Sequence, residues 1–271
     1  MRLRTGTLLA FFITIFCFFA CSESFLETDD DPANAIPELS IEDVNRAFSE
    51  LTFNTGVNDY TLNVLHNQTW DFRVIVPEVE DGELLPLFVN LHGGVLTPDA
   101  NAHKRTECLI EPALENTRAY VISPNAKARL WNHNDNVSQV LNLIDFAIEH
   151  LNVDPERVVT VGYSDGGTGS WFFPDFFPEV FSAGIPMASF YGLSYTDDGL
   201  VKKTDVPLYV IHGSDDTIFP YTNTETLAQL SMNAGSDITL VRAEGLSHFV
   251  PCEYLSYLLD AIEWLNTDVW Q

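Results

Sequence analysis

A short run of β-branched residues that ends in a Gly-x-Ser-x-Gly motif constrains this chain more than any other feature of its sequence. Residues 158–161 read Val-Val-Thr-Val, residues 162–166 read Gly-Tyr-Ser-Asp-Gly, and a segment able to form a helix follows. In such a strand–turn–helix context the serine, Ser164, lies on a sharp turn with its hydroxyl exposed. A turn rich in small residues can also contain a serine by chance. The motif therefore predicts a nucleophile only if the rest of the chain supplies an acid, a base and donors to an oxyanion.

A second motif, in residues 211–220, supplies the acid. It reads Ile-His-Gly-Ser-Asp-Asp-Thr-Ile-Phe-Pro, which matches the His-Gly-x-x-Asp-x-x-hydrophobic-Pro stretch that carries the triad acid in many serine hydrolases. The spacing selects Asp216 over Asp215. A solvated acidic turn would explain one aspartate but not the flanking His-Gly and Phe-Pro pairs. We expect His212 to be architectural.

The predicted base is His248, which follows the last predicted strand in Gly-Leu-Ser-His-Phe. The remaining histidines precede or lie off the position at which a base is expected, and they are His66, His92, His103, His133 and His150. The order Ser164, Asp216, His248 is that of α/β-hydrolases and differs from the orders in chymotrypsin and subtilisin. The sequence therefore predicts a serine hydrolase with these three residues as its triad.

The Gly-rich turn in residues 91–95, Leu-His-Gly-Gly-Val, is the candidate oxyanion loop. A turn without side chains lets the backbone approach a substrate and offer an amide to a developing negative charge. We expect the Gly94 N–H to form one half of the oxyanion hole and the Asp165 N–H, at the start of the elbow helix, to form the other. His92 is expected to be a structural hydrogen-bonding residue.

The hydrophobic pattern predicts an α/β fold. Residues 60–64 and 70–77 alternate at period two and predict an antiparallel hairpin, after which strands alternate with helices, as in a parallel sheet. Residues 154–156, Asp-Pro-Glu, are expected to end the helix before the elbow strand. The further strands are predicted at residues 87–91, 119–123, 158–161, 183–186, 208–211 and 238–242, and the helices near 41–51, 136–151, 165–176, 222–233 and 254–265.

The N-terminus predicts export. Two arginines precede an apolar stretch that ends at Ala20, as in a secretory signal peptide of residues 1–20. Ala20-Cys21-Ser22 resembles a lipobox, in which Cys21 would become a lipidated first residue; an ordinary cleaved signal is the alternative. We therefore expect an acidic tether and a short helix in residues 21–50 and a catalytic domain in residues 51–271. The acidic residues after Cys21 favour the outer membrane or cell surface, and an unlipidated protein would be periplasmic.

Charge and residue spacing exclude several partners. The formal net charge is −26, and a field of that sign repels phosphate backbones, so we expect no nucleic acid. No Cys/His spacing resembles a zinc site, and acyl transfer through a serine needs neither a metal nor an organic cofactor.

Residues 58–267 resemble the α/β-hydrolase superfamily, and more narrowly its exported esterase branch. That branch includes polyhydroxybutyrate-depolymerase-like and feruloyl-esterase-like enzymes and the "predicted peptidase" proteins allied to prolyl oligopeptidase. The chain departs from the pattern at Val95, which replaces a third glycine, and at Asp165, whose side chain we expect to point towards solvent. The resemblance is carried by residues 71–77 (DFRVIVP), 91–94 (LHGG), 154–158 (DPERV), 162–171 (GYSDGGTGSW) and 177–181 (FPEVF).

This resemblance implies a mostly parallel central sheet with helices on both faces, and the short segment 189–205 leaves no room for a large lid. It also implies a serine esterase acting on small or glycan-linked esters. An exported peptidase or amidase of the same fold is one alternative, and no paired-glutamate grip or propeller domain supports it. A non-catalytic glycan-binding lipoprotein is another, which would have no need of both Asp216 and His248.

Two cysteines, Cys108 and Cys252, remain once Cys17 and Cys21 are assigned to the signal and the lipid. Export to an oxidising compartment permits one disulfide, and two buried free thiols are the alternative. In the α/β-hydrolase arrangement the helices near these two residues pack on the same face of the sheet, so the resemblance allows the pair to meet.

Overall fold

The computed structural model describes residues 39–94 and 99–271. The predicted signal peptide, Cys21, nearly all of the tether and Val95 lie outside the described residues. Residues 38–271 form one compact unit. Its first helix, α1 (Ile41–Ser49), is capped by Ser40 and buries Val44 and Phe48. The helix that the sequence analysis grouped with the tether therefore belongs to the compact unit, because its apolar face completes the core.

An eight-stranded sheet forms the centre of this unit, in the order β1-β2-β4-β3-β5-β6-β7-β8. The first two strands form the predicted antiparallel hairpin, β2 is antiparallel to β4, and all further pairs are parallel. The strands are β1 (Gly56–Val64), β2 (Gln68–Val76), β3 (Leu85–Leu91), β4 (Tyr120–Pro124), β5 (Val153–Tyr163), β6 (Ala183–Met187), β7 (Leu208–Gly213) and β8 (Ile238–Ala243).

Helices cover both faces of the sheet. The helices after α1 are α2 (Ile110–Leu114), α3 (Asn134–His150), α4 (Asp165–Phe176), α5 (Tyr221–Asn233) and α6 (Leu255–Trp264). One face of the sheet packs against α1, α3, α4 and α5, and the other against α2 and α6. Continuous apolar strands such as β3, which is buried at every residue, need this cover on both sides. The predicted α/β-hydrolase fold is confirmed.

The helix before the elbow strand ends at His150, close to the predicted residue 151. Residues 154–156, which were expected to separate this helix from the strand, lie within β5, because the strand begins at Val153 and not at the predicted Val158. Leu85 pairs with Val153 and Leu87 pairs with Val158, so the residues between bulge out of the ladder. This bulge accommodates Pro155, which has no N–H to donate.

A disulfide joins the segment that precedes α2 to the segment that precedes α6. Cys108 lies in the turn before α2, and Cys252 lies in a 3-10 turn, Pro251–Tyr254, before α6. Their Cα atoms are 5.2 Å apart, their sulfurs are bonded, and both residues are exposed. The bond therefore fastens the segment after the Gly-rich turn to the loop that carries His248.

Replacing both cysteines by serine should lower the free energy of unfolding. A covalent loop across 144 positions restricts the unfolded chain by about 5 kcal/mol in the chain-entropy model, and measured losses are often smaller. Urea unfolding of the wild type and of Cys108→Ser/Cys252→Ser, both without reductant, measures the difference. The same comparison with a reductant is the control, in which the two proteins should converge. Equal unfolding midpoints without reductant would contradict the prediction.

Candidate active site

Ser164 lies between β5 and α4 in a backbone conformation that only a tightly packed turn maintains. Its φ is 60° and its ψ is −122°, which is costly for a residue with a Cβ atom. The Ser164 N–H donates to the Met187 carbonyl at 2.9 Å, and its carbonyl accepts from the Thr168 N–H. A Cβ on Gly166 would lie 1.7 Å from the Leu91 carbonyl oxygen. Glycine at that position therefore permits the close strand–helix approach that holds the turn.

The structure brings Ser164, His248 and Asp216 into one chain of hydrogen bonds. Ser164 Oγ is 2.8 Å from His248 Nε2, and His248 Nδ1 is 2.7 Å from Asp216 Oδ2. This arrangement places a hydroxyl, an imidazole and a carboxylate in the geometry of an activated serine nucleophile.

The carboxylate of Asp216 is fixed from its other side. Its Oδ1 accepts the backbone N–H groups of Ile218 and Phe219, each at 2.8 Å, and the residue is only 4% exposed. Asp215, in contrast, is exposed, and its carboxylate accepts from the neighbouring Ser214 hydroxyl. Of the two adjacent aspartates, Asp216 is thus the one that contacts His248, as the motif spacing predicted.

His212 is fully buried beside this turn. Its Nε2 donates to the Phe219 carbonyl at 2.7 Å and lies 3.4 Å from Asp216 Oδ2. Burial lowers the pKa of His212, which favours the neutral ring. His212 therefore fixes the turn that presents Asp216.

His92 fixes the Gly-rich turn in a similar way. Its Nε2 accepts the Ala126 N–H at 3.0 Å, while its Nδ1–H donates to the Gly93 carbonyl at 2.9 Å. Burial lowers its pKa to about 4, so the ring is neutral near pH 7 and can accept and donate at once. The Trp131 indole N–H donates to the His92 carbonyl at 3.1 Å.

The candidate oxyanion donors lie on either side of the nucleophile. A Cβ on Gly93 would be 3.2 Å from the Ser164 Cβ and 2.9 Å from the Tyr163 carbonyl oxygen, so this turn packs directly against the elbow. Gly94 follows at φ 75°, a conformation that favours glycine. On the other side, Asp165 is the first residue of α4, where backbone N–H groups are unpaired and favour negative charge.

The Asp165 side chain, which the sequence predicted to point towards solvent, is partly exposed. It is half-buried and lines a hollow of about 210 Å³ beside α4. The packing of residues 130–132 and 191–193 around the start of α4 creates this hollow, which no local sequence pattern reports.

Tyr163 is a site residue that the sequence analysis missed. Its hydroxyl donates to the backbone carbonyl of His248 at 3.1 Å, and its ring lies 5.7 Å from the imidazole. Burial against Tyr254 raises the pKa of Tyr163, so the hydroxyl stays protonated. The variable position of the Gly-x-Ser-x-Gly motif carries no signal for such a role.

A larger hollow of about 610 Å³ opens on the α2 side of the elbow. Its described lining is apolar at Leu109 and Ile110 and includes Tyr163 and Gly93. The cations at its edge are paired, Arg105 with Asp99 and Lys104 with Asp59 at 3.7 Å. The two neighbours of Ser164 in the sequence therefore line different hollows, Tyr163 the larger one and Asp165 the smaller one.

Within residues 39–94 and 99–271, no group of three or more His, Cys, Asp or Glu side chains could hold a metal ion. In the same part of the chain, no helix has the length and apolar character needed to cross a bilayer.

Known proteins resemble this chain in both sequence and fold. Protein usf of Aquifex pyrophilus is 27% identical over 105 residues, which cover 39% of this chain and 44% of that protein. The crystal structure of a thermostable esterase matches with a TM-score of 0.62 and 21% identity over 78% of this chain and 62% of that one. The acylaminoacyl peptidase of Pyrococcus horikoshii matches with a TM-score of 0.58 and 16% identity, over 83% and 43%.

These matches cover less than two thirds of each relative, and the two structural matches show a shared fold. The comparison with a family model identifies the family of this chain. The sequence model of the dienelactone hydrolase family matches residues 95–257, more than half of the chain, and that range contains Ser164, Asp216 and His248. The superfamily expected from the sequence is confirmed, whereas the narrower exported esterase branch stays a prediction. The chain belongs to the dienelactone hydrolase family.

Proposed function

We propose that this protein is a serine hydrolase that cleaves carboxylic esters through an acyl-enzyme on Ser164. The observation that carries the proposal is the hydrogen-bonded chain from Ser164 through His248 to the buried Asp216. Membership of a hydrolase family and a fold shared with an esterase support it. The substrate we propose is a small or glycan-linked ester.

In the proposed mechanism, His248 Nε2 accepts the Ser164 proton while Oγ attacks the ester carbonyl carbon. Asp216 holds the Nδ1–H tautomer and stabilises the imidazolium that forms. The imidazolium then gives the proton to the departing alkoxide oxygen as the C–O bond breaks. Water attacks the acyl-enzyme next, with His248 again as base, and releases the acid and the free serine. Every proton passes through one imidazole, so no cofactor takes part.

The oxyanion of each tetrahedral intermediate would accept from the backbone N–H groups of Gly94 and Asp165. A fixed donor of this kind contributes about 3 kcal/mol to the transition state. The neutral His92 ring holds the Gly-rich turn, and the strained turn at Ser164 holds the start of α4. In the proposed mechanism these contacts hold both donors in place before substrate arrives, which is the condition for their effect.

A glycan-linked or aryl ester is supported by the aromatic residues at the rim. The ring of Phe249 is 71% exposed and lies 5.9 Å from the His248 imidazole, and Phe219 lies 5.4 Å from it on another side. An exposed aromatic face beside the base can pack against a sugar or an aryl group.

An amide substrate is the second candidate, because the fold is shared with an acylaminoacyl peptidase. The two substrate classes are separated by assaying the purified protein with p-nitrophenyl butyrate and with aminoacyl p-nitroanilides. We expect hydrolysis of the ester to exceed that of the anilides by far. A preference for the anilides would favour the peptidase, and no hydrolysis of either would favour a binding protein.

Asp216→Asn should lower kcat/KM for the butyrate ester by about 10³- to 10⁴-fold, because the amide can hold the wrong imidazole tautomer. Ser164→Ala should abolish the reaction. The matched control is Asp215→Asn, which removes the adjacent but exposed carboxylate and should change the rate little. Equal losses in the two asparagine variants, or full activity in Ser164→Ala, would contradict the proposal.

Tyr163→Phe should lower kcat by about fivefold to tenfold and leave KM nearly unchanged. The substitution removes the hydrogen bond to the His248 carbonyl, a net contribution of about 1 kcal/mol, and loosens the base, while the ring that lines the larger hollow stays in place. Steady-state kinetics with the butyrate ester measure the split. Tyr195→Phe is the control, since Tyr195 is exposed. A lower melting temperature with unchanged kcat would mean that Tyr163 is only structural.

We also propose that the protein is exported and held at the outer membrane or cell surface by lipid on Cys21, which the basic and apolar start of the sequence supports. Wild-type protein should then enter the membrane fraction, and Cys21→Ser should be soluble or unprocessed. Mass spectrometry of the mature N-terminus is the measurement. An unmodified N-terminus beyond residue 21 would contradict the proposal.

A further inference from the structure

The smaller hollow lies along α4, and its lining includes Asp165, the residue that follows Ser164. It has a volume of about 210 Å³, which is enough for one aromatic ring or a short chain. Leu130 and Leu193 form its rim and are each about half exposed, while Trp131 and Phe172 are buried beneath them. Its lining is Leu130, Trp131, Asn132, Asp165, Thr168, Gly169, Phe172, Tyr191 and Leu193. The hollow is therefore mainly apolar.

The buried polar groups of this lining are already engaged within the protein. The Trp131 indole N–H donates to the His92 carbonyl, and the Thr168 hydroxyl donates to the Phe190 carbonyl at 3.2 Å. The Tyr191 hydroxyl donates to Asp175 at 2.6 Å. These groups shape the hollow and do not compete for a ligand.

Asp165 differs from all of them. It is the one charged side chain in this lining, and its carboxylate has no hydrogen-bond or ion-pair partner among the described residues. It is half-buried, so a group seated in the hollow would contact it with part of the solvent excluded. A carboxylate at the first position of a helix also interacts favourably with the helix dipole, which accounts for its stability there without a cationic partner.

The position of Asp165 links this carboxylate to the reaction. Adjacent Cα atoms are about 3.8 Å apart, so the Asp165 side chain starts one residue from Ser164. An ester bound at Ser164 extends an acyl group and an alcohol group in two directions from its carbonyl carbon, so one of them can enter a hollow whose lining includes the next residue. A charge on that group would then interact electrostatically with the Asp165 carboxylate at short range.

We propose that Asp165 makes the hollow a charge-selective subsite for one substituent of the ester. The group it takes has an apolar body and a cationic or hydroxyl end, and a group that ends in a carboxylate is excluded. The inference rests on the proposed esterase function and deepens it by naming the substrate class. The larger hollow differs, because both cations in its lining are paired, Arg105 with Asp99 and Lys104 with Asp59, and its remaining carboxylate, Glu107, is exposed.

The test uses aryl acetates that differ only in a para substituent: aminomethyl, hydroxymethyl or carboxymethyl. A second series carries the same three substituents on the benzoyl group of phenyl benzoates, so that either side of the ester is sampled. Hydrolysis is followed by chromatography for the wild type, for Asp165→Asn and for Asp237→Asn. Asp237 is an exposed carboxylate next to the N-terminal end of β8, at the edge of the sheet opposite the site, and controls for the change in net charge.

In at least one series the wild type should prefer the aminomethyl to the carboxymethyl ester. Asp165→Asn should reduce that ratio of kcat/KM values by about fivefold, as expected for one partly exposed charge pair, and Asp237→Asn should not change it. The ratio is independent of any general loss of activity that the substitution causes. An unchanged ratio in both series, with Ser164-dependent hydrolysis of the hydroxymethyl ester intact, would overturn this inference and leave the proposed function standing. Absence of any Ser164-dependent hydrolysis would overturn both.

A second pair of variants tests whether the hollow itself holds the substituent. Leu193→Trp places a bulky ring at its rim and should raise KM in the series that shows charge selection. Leu200→Trp, at a residue 65% exposed and outside the lining, is the matched control. Equal KM values in the two variants would show that the substituent binds elsewhere and would overturn the inference.

Discussion

The close approach of β3, β5 and α4 around Ser164 is the constraint on which the rest of the site depends. A side chain on Gly166 would meet the Leu91 carbonyl, and one on Gly162 would meet the Gly166 carbonyl at 2.3 Å. Because these contacts are tight, Ser164 is held at a positive φ that serine rarely adopts. The same contacts press the Gly-rich turn against the nucleophile. One packing arrangement therefore sets the direction of the hydroxyl, the start of α4 and the position of both proposed oxyanion donors.

Three contacts hold His248, the proposed base, close to this turn. Asp216 holds the imidazole, Tyr163 holds the backbone carbonyl of His248, and the Cys108–Cys252 disulfide holds the chain four residues beyond. Loops are in general more mobile than the strands and helices that they connect. These contacts restrict the base before substrate binds, and in the proposed mechanism that restriction supplies part of the rate.

The sequence was sufficient for those features that depend on local patterns. The β-branched run, the glycine spacing and the position of Asp216 within its turn each reflect a short-range steric or hydrogen-bonding requirement. The start of β5 was predicted too late in the sequence. Asp-Pro-Glu is as compatible with a break between a helix and a strand as with a strand in which a bulge leaves the proline outside the hydrogen-bonded pairs. Tyr163 and the Asp165 side chain could not be assigned from sequence. The residues around them are distant in the sequence. Only the packed sheet brings Tyr163 to the His248 carbonyl and places Asp165 in the same hollow as Leu193.

The central claim is that Ser164 is the residue that becomes acylated. Peptide mapping by mass spectrometry after treatment with a fluorophosphonate tests it most directly, because such a reagent bonds to a serine only where a base and oxyanion donors activate it. The account predicts one adduct, on the peptide that contains Ser164, and much slower labelling in His248→Ala. An adduct on another residue, or labelling at an equal rate without His248, would contradict it.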